Sequence, residues 1–343
     1  MDMKFYFQLS LVKFGKINME HLDGLLHTMQ RIIDANDVNL IKNIFIFFTV
    51  TMILSCCLFS FVETHLPNFI RQSFRYGKHS YKGTANVLAS SLEVPKAWFK
   101  HFYIFAFAWA SWALFLVLKG LVLHELAPEY VLTFLDFVAG GRNNRQVQVS
   151  STCGLVATIL MTMQCARRFY ETNFVQIFSK KSKINFCQYM VGYIHYFGAV
   201  STLLANTEGF VRNSTPTPFS LTRISILQYL CVFIFHYSWT QQHKSNMILV
   251  NLRKDKQTGQ VLTEQHLLPK GEYFDSISSP HMFFEVVMYL TLLGLLPNCT
   301  TWYYICFWVV GNQIFNALQT HKWYQKNFKH YPKNRYAIIP FVL

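Results

Sequence analysis

The chain has 343 residues, of which 52% are hydrophobic, 17% aromatic and only 14% charged. A soluble domain carries about 25% charged residues, so this deficit excludes a water-facing surface over most of the molecule and points to a membrane. The formal net charge of +14 is read as basic loops on the cytosolic side of a bilayer, and not as a nucleic-acid footprint.

Residues 1–39 mix charged and apolar residues, as in MEHLDGLLHTMQRIIDAND. They read as a short amphipathic or poorly ordered extension without a cleavable signal pattern. The first strong apolar run after it reads as an uncleaved anchor. A helix needs about 20 mostly apolar residues to cross a bilayer. Seven runs are candidates: 40–62, 101–123, 151–166, 186–205, 222–242, 282–298 and 302–320. The expected fold is all-α, a polytopic membrane protein with about seven transmembrane helices in one bundle, and residues 40–343 form one membrane domain.

Charge between the runs is uneven. Segment 64–98 carries Arg71, Arg75, Lys78, Lys82 and Lys96, and 167–185 carries Arg167, Arg168, Lys180, Lys181 and Lys183. Segment 243–280 carries Lys244, Arg253, Lys254, Lys256 and Lys270, and the tail carries Lys322, Lys326, Lys329, Lys333 and Arg335. Segment 124–150 sets Arg142 and Arg145 against Glu125, Glu129 and Asp136, and 206–221 sets Arg212 against Glu208. The positive-inside rule puts the four basic segments and the C-terminus in the cytosol. Seven spans then leave the N-terminus in the lumen. The sequons Asn213-Ser214-Thr215 and Asn298-Cys299-Thr300 both fall in lumenal loops on this topology.

The eight cysteines show no CxxC or Cys/His metal spacing, so neither a disulfide framework nor a metal site is expected. GxGxxG, P-loop, HExxH and GxSxG patterns do not occur in the sequence, so a nucleotide would have to bind within helices. Polar residues cluster where the basic segments meet the apolar runs. A phosphate-bearing ligand suits such a surface, because Arg pairs bidentately with phosphate and Lys acts as a point charge; solvent or lipid headgroups suit each cation as well. Glu285 lies five residues after Pro280, at the start of an apolar run. The helix dipole favours a carboxylate there, while an ionisable group inside a span is a functional candidate by default. His101 opens the second run in VPKAWFKHFYIF; its value depends on whether it faces the same cavity as the other polar groups.

The C-terminus HKWYQKNFKHYPKNRYAIIPFVL, residues 321–343, resembles the ending of the steroid 5α-reductase family. LPKGEYFDSISSPHMFFE at 268–285 resembles another segment of that family. NMILVNLRKDK at 246–256, RYGK at 75–78, VPKAWFKHFY at 94–103 and CARRFYETNFVQIFSK at 165–180 resemble its polyprenol reductase branch. The resemblance runs from residue 66 to the end. It implies a seven-helix bundle holding NADPH in a cavity open to the cytosol, with a lipid-like substrate between the N-terminal helices. The NADPH-binding positions it implies are Tyr76, Asn246, Arg253, His266, His281, Glu285, Lys322, Tyr331 and Arg335, most of them within 240–343. Three depart from the family: His281 stands where Asn is usual, Asn246 where steroid reductases have Asp, and Lys322 where Arg is common.

The steroid branch also has a Gln-Glu pair after AWF and a Tyr near the third helix. Here these read His101-Phe102 and Cys165, which argues against a 3-keto steroid and leaves His101 as the candidate to hydrogen-bond or protonate the reacting group. The implied activity is NADPH-dependent reduction of the α-isoprene double bond of polyprenal, in the polyprenol-to-dolichol conversion that feeds protein N-glycosylation at the endoplasmic reticulum membrane. Hydride adds to an alkene only when a conjugated carbonyl takes up the charge, which favours the aldehyde over the alcohol. The alternatives are a 3-oxo-5α-steroid 4-dehydrogenase-type enone reductase, an isoprenylcysteine methyltransferase using S-adenosylmethionine, and a non-enzymatic seven-span receptor or transporter. The YPKNR and IPF ending favours the reductase.

Overall fold

The computed structural model describes residues 19–75, 79, 83–255 and 257–342. Among these, helices occupy every predicted apolar run: α2 Leu40–Phe61, α5 Phe99–Leu123, α7 Ser151–Tyr170, α8 Phe186–Ala205, α9 Ile226–Asn251, α10 Pro280–Leu295 and α11 Thr300–Asn327. Shorter or outlying helices are α1 Met19–Asn36, α3 Asn68–Phe74, α4 Val87–Ser91 and α6 Glu129–Ala139. Among the described residues, two helical stretches, Leu40–Phe61 and Lys96–Leu123, are long and apolar enough to cross a membrane.

Local chemistry sets the helix starts. Asn39 accepts from the Lys42 amide at 2.8 Å, Asn185 from the Cys187 amide at 2.8 Å, and Ser225 forms a capping box with Gln228, each meeting an orphan donor of a first turn. Pro280 begins α10, where its missing N–H costs nothing. The Ser225 cap explains why α9 starts later than its apolar run suggests. The helix also continues well past that run, because the polar residues that end the run face neighbouring helices.

Outer faces are apolar and exposed: Phe61 is 84% exposed, Ile226 89% and Phe233 70%. Contiguous apolar surface of this kind needs a non-aqueous partner. Inside, close approach depends on small residues. A Cβ on Gly198 would meet the Phe45 ring at 2.7 Å, and one on Gly192 the Phe102 ring at 2.7 Å, so these glycines let α8 lie against α2 and α5.

The basic segments are stitched together at one end of the bundle. An antiparallel ribbon pairs β1 Glu93–Pro95 with β2 Lys183–Asn185, joining the first basic segment to the second. The Lys180 amide donates to Glu264 at 3.3 Å, joining the second to the third. Ser278 N donates to Tyr336 O at 2.8 Å, and Tyr336 N to Ser276 O at 2.9 Å, joining the third to the tail. The two weakly charged loops meet elsewhere: Asp136, 2% exposed, pairs with Arg145 and Arg212, each at 2.7 Å, and Gln148 N donates to Asn206 O.

Candidate active site

Three helices place polar stripes at helical spacing where the basic segments converge. On α7 and its C-cap, Gln164, Arg167, Arg168 and Glu171 recur at i, i+3, i+4 and i+7, one face of a helix. Trp239, Gln242, His243 and Asn246 do the same on α9, and His281, Glu285 and Tyr289 line α10.

These stripes interlock. Glu285 Oε2 accepts from Gln164 Nε2 at 3.0 Å and from Gln242 Nε2. Arg167, 7% exposed, donates to Gln164 Oε1 at 2.7 Å, to Gln242 Oε1 and to the Trp239 carbonyl, and lies over the Trp239 ring at 4.5 Å. Its Nε is 3.8 Å from Glu171. Glu171 is itself buried and accepts from Arg168 at 2.6 Å and Asn246 at 2.9 Å, and pairs with His243 at 2.8 Å. Arg168 reaches on to the Tyr103 hydroxyl at 3.0 Å. Burying such charge is costly unless every group is paired; here two carboxylates and two guanidiniums share one network. The chain bends out of α7 through a π-turn at Glu171–Val175, an irregularity found often at functional sites.

A second cluster stands beside it. The Tyr331 hydroxyl meets Ser278 Oγ at 2.5 Å and His321 Nδ1 at 2.8 Å, and its ring stacks on Tyr324 at 6.1 Å. Arg335, 4% exposed, lies over that ring at 5.3 Å and donates to the Pro269 carbonyl at 3.2 Å. Arg253 meets His266 Nδ1 at 2.5 Å and donates to the Ile177 carbonyl at 3.1 Å; the His266 ring lies 6.0 Å from Trp323. Burial lowers the pKa of Arg253, while the nearby Tyr324 and Glu264 raise it. Lys96 is half-buried at the foot of α5.

Of the residues singled out from the sequence, Asn246 and Glu285 join the first network. The His281 carbonyl closes its edge by accepting from Gln242 at 3.1 Å. Arg253, His266, Tyr331 and Arg335 build the second cluster. Lys322 is exposed on α11, and its neighbour His321 is the one that turns inward. Tyr76 lies outside the described residues. His101 is exposed on the flank of α5, bonded to the Tyr189 hydroxyl at 3.2 Å and beside Trp98 at 5.5 Å. The sequence alone does not single out Gln164, Arg167, Arg168 and Glu171, because Arg167 and Arg168 read there as loop charge. Their i, i+3, i+4, i+7 spacing was the available signal.

The residues present fit a nicotinamide dinucleotide phosphate. Glu285 Oε1 takes no part in the two bonds to its partner oxygen and suits an amide donor. Ser279 Oγ and Arg335 Nε are buried without a partner among the described residues, and buried polar atoms of this kind call for a ligand or ordered water. Lys96, Arg253 and Arg335 supply cations for phosphate.

A helical bundle with apolar outer faces and a charged, hydrogen-bonding mouth at one end is built to bring a polar ligand to an apolar one. The sequence profile of 3-oxo-5-alpha-steroid 4-dehydrogenase matches residues 180–343. A Drosophila melanogaster polyprenal reductase is 56% identical over 322 residues, covering 94% of this chain and 98% of that one. A Caenorhabditis elegans polyprenal reductase is 32% identical over 301 residues, covering 86% and 94%. A human polyprenal reductase is 29% identical over 271 residues, covering 78% and 84%. The chain belongs to the steroid 5α-reductase family, in its polyprenal reductase branch.

Proposed function

We propose that this protein is an NADPH-dependent oxidoreductase of CH–CH groups that saturates the α-isoprene double bond of polyprenal, in the conversion of polyprenol to dolichol for protein N-glycosylation. It works as a multi-pass protein of the endoplasmic reticulum membrane, with seven spans and a cytosolic C-terminus. One observation carries the reading: a buried carboxylate, Glu285, is held by two amide donors at the end of an apolar-faced bundle where all four basic segments meet. The relatives' shared name supplies the substrate class.

When bound, NADPH supplies a hydride. Glu285 would accept from its carboxamide, with Gln164 and Gln242 fixing the carboxylate. Asn246, Tyr331, His266 and His281 would line the nucleotide with Tyr76, and Arg253, Arg335 and Lys96 would meet phosphate. Lys322, on the exposed face, would add long-range attraction. His101, with Tyr189, would meet the aldehyde head group as the lipid arrives between α5 and α8. Phe102 is buried among aromatic rings, so the site has no carboxylate where the steroid branch has one.

The test is NADPH oxidation by purified full-length protein offered polyprenal, polyprenol or an enone steroid. Polyprenal should be consumed at least about 100-fold faster than the others, since only a site built for the correct polar head rejects analogues so strongly. Faster turnover of the steroid would reverse the substrate assignment, and no NADPH oxidation with any of the three would end the reading.

A further inference from the structure

One polar pair shares no hydrogen bond with the networks above. His195 on α8 bonds through Nε2 to the Tyr289 hydroxyl at 2.7 Å, and Tyr289 is 2% exposed. His195 Nδ1 is buried with no hydrogen-bond partner among the described residues. The ring is held edge-on by Phe45 at 5.9 Å and Tyr196 at 5.0 Å, and Tyr289 stacks on Trp302 at 6.1 Å. Aromatic rings thus flank both members of the pair.

The tautomer can be either one, yet both leave one donor unmet. If Tyr289 donates to Nε2, the imidazole proton sits on Nδ1 and has no acceptor. If Nε2–H donates to the phenol oxygen, the phenol O–H has none. Buried donors in native proteins are rarely orphaned, and each exception asks for an explanation.

Position suggests the acceptor. Tyr289 follows Glu285 by four residues on α10, one turn deeper on the same face. Tyr196, against His195, also lies 5.6 Å from Tyr103, the hydroxyl that Arg168 holds. The pair therefore stands at the inner end of the Glu285 network. His101 is elsewhere: its anchor Tyr189 precedes His195 by six residues on α8, about 9 Å along the axis. One enal cannot use both donors at once.

We propose that the Tyr289–His195 pair supplies the hydrogen-bond donor that faces the aldehyde oxygen during hydride transfer, a role that rests on the polyprenal reductase reading. The hydride adds to the β-carbon, the double-bond electrons move toward the carbonyl, and the developing enolate oxygen takes the unmet donor. The α-carbon then takes a proton from water. The enal is reduced to the saturated aldehyde and NADPH is oxidised. A preorganised donor aimed at developing oxyanion charge contributes typically 10²–10³ in kcat.

The experiment reads carbonyl polarisation without turnover. Full-length protein is loaded with NADP⁺ and polyprenal, and the bound C=O stretch is recorded by infrared difference spectroscopy. Wild type should show a stretch lowered from that of polyprenal in lipid. Tyr289→Phe, which keeps the stack on Trp302, and His195→Phe, which keeps the ring contacts, are compared. Loss of the lowering in either variant, with NADP⁺ affinity kept, supports the pair and identifies the donating atom. Such a variant should also lose about 100-fold in kcat, with a larger deuterium isotope effect from deuterated NADPH. If both variants keep the wild-type stretch and turnover, the pair is not the donor. If His101→Ala instead abolishes the lowering, that role passes to His101; a rise in KM alone leaves it with the pair. Wild-type protein that oxidises no NADPH with polyprenal would refute the functional reading separately.

Discussion

Glu285 places a carboxylate among helices and holds it with two neutral amides, with no cation in direct contact among the described residues. Hydrogen bonds to a charged partner are worth about 1.5–3 kcal/mol. Glu285→Gln should therefore raise the NADPH dissociation constant about 10- to 100-fold, measured by cofactor fluorescence titration, with the fold retained; an unchanged constant would remove Glu285 from the cofactor site.

At the scale of elements, the apolar runs were legible because period and length alone mark a helix that needs an apolar surround. What they hid was direction. Lys322 and His321 are adjacent, but only His321 turns toward Ser278 and Tyr331, and a motif match cannot tell which neighbour faces inward. Asn246 is legible in the sequence as a site position. That Gln242 and Asn246 share a network with Glu171 and Glu285 depends on how α7, α9 and α10 come together. Glycines record that contact. A side chain at Gly198 must displace the Phe45 ring, and overpacking of this kind costs about 1–3 kcal/mol. Gly198→Leu should lower the thermal midpoint in detergent by several degrees, whereas Gly259→Leu, whose Cβ would meet nothing within 4 Å, serves as a comparison dominated by its left-handed backbone. Equal midpoints for wild type and Gly198→Leu would mean that α2 and α8 do not meet closely.

At the scale of the whole molecule, the two ends differ in kind. One end gathers four basic segments around buried carboxylates, with the ribbon Glu93–Pro95 and Lys183–Asn185 as its tie. The other is closed by Asp136 between Arg145 and Arg212, with Glu129 bonded to Arg212 at 2.8 Å. That closure is self-neutralising and leaves little charge to bias insertion, so the basic end alone decides orientation under the positive-inside rule. Cysteine accessibility distinguishes which end meets the cytosol. Lys333 is exposed in the tail and Thr215 in the opposite loop. Each is replaced by cysteine in a background where the exposed Cys57 and Cys187 are serine, and sealed microsomes are treated with a membrane-impermeant maleimide. Lys333→Cys should label at once, and Thr215→Cys only after detergent opens the vesicles. The reverse pattern would put Glu285, Arg253 and Arg335 at the lumenal mouth, and a cytosolic pool of NADPH could not then reach the site.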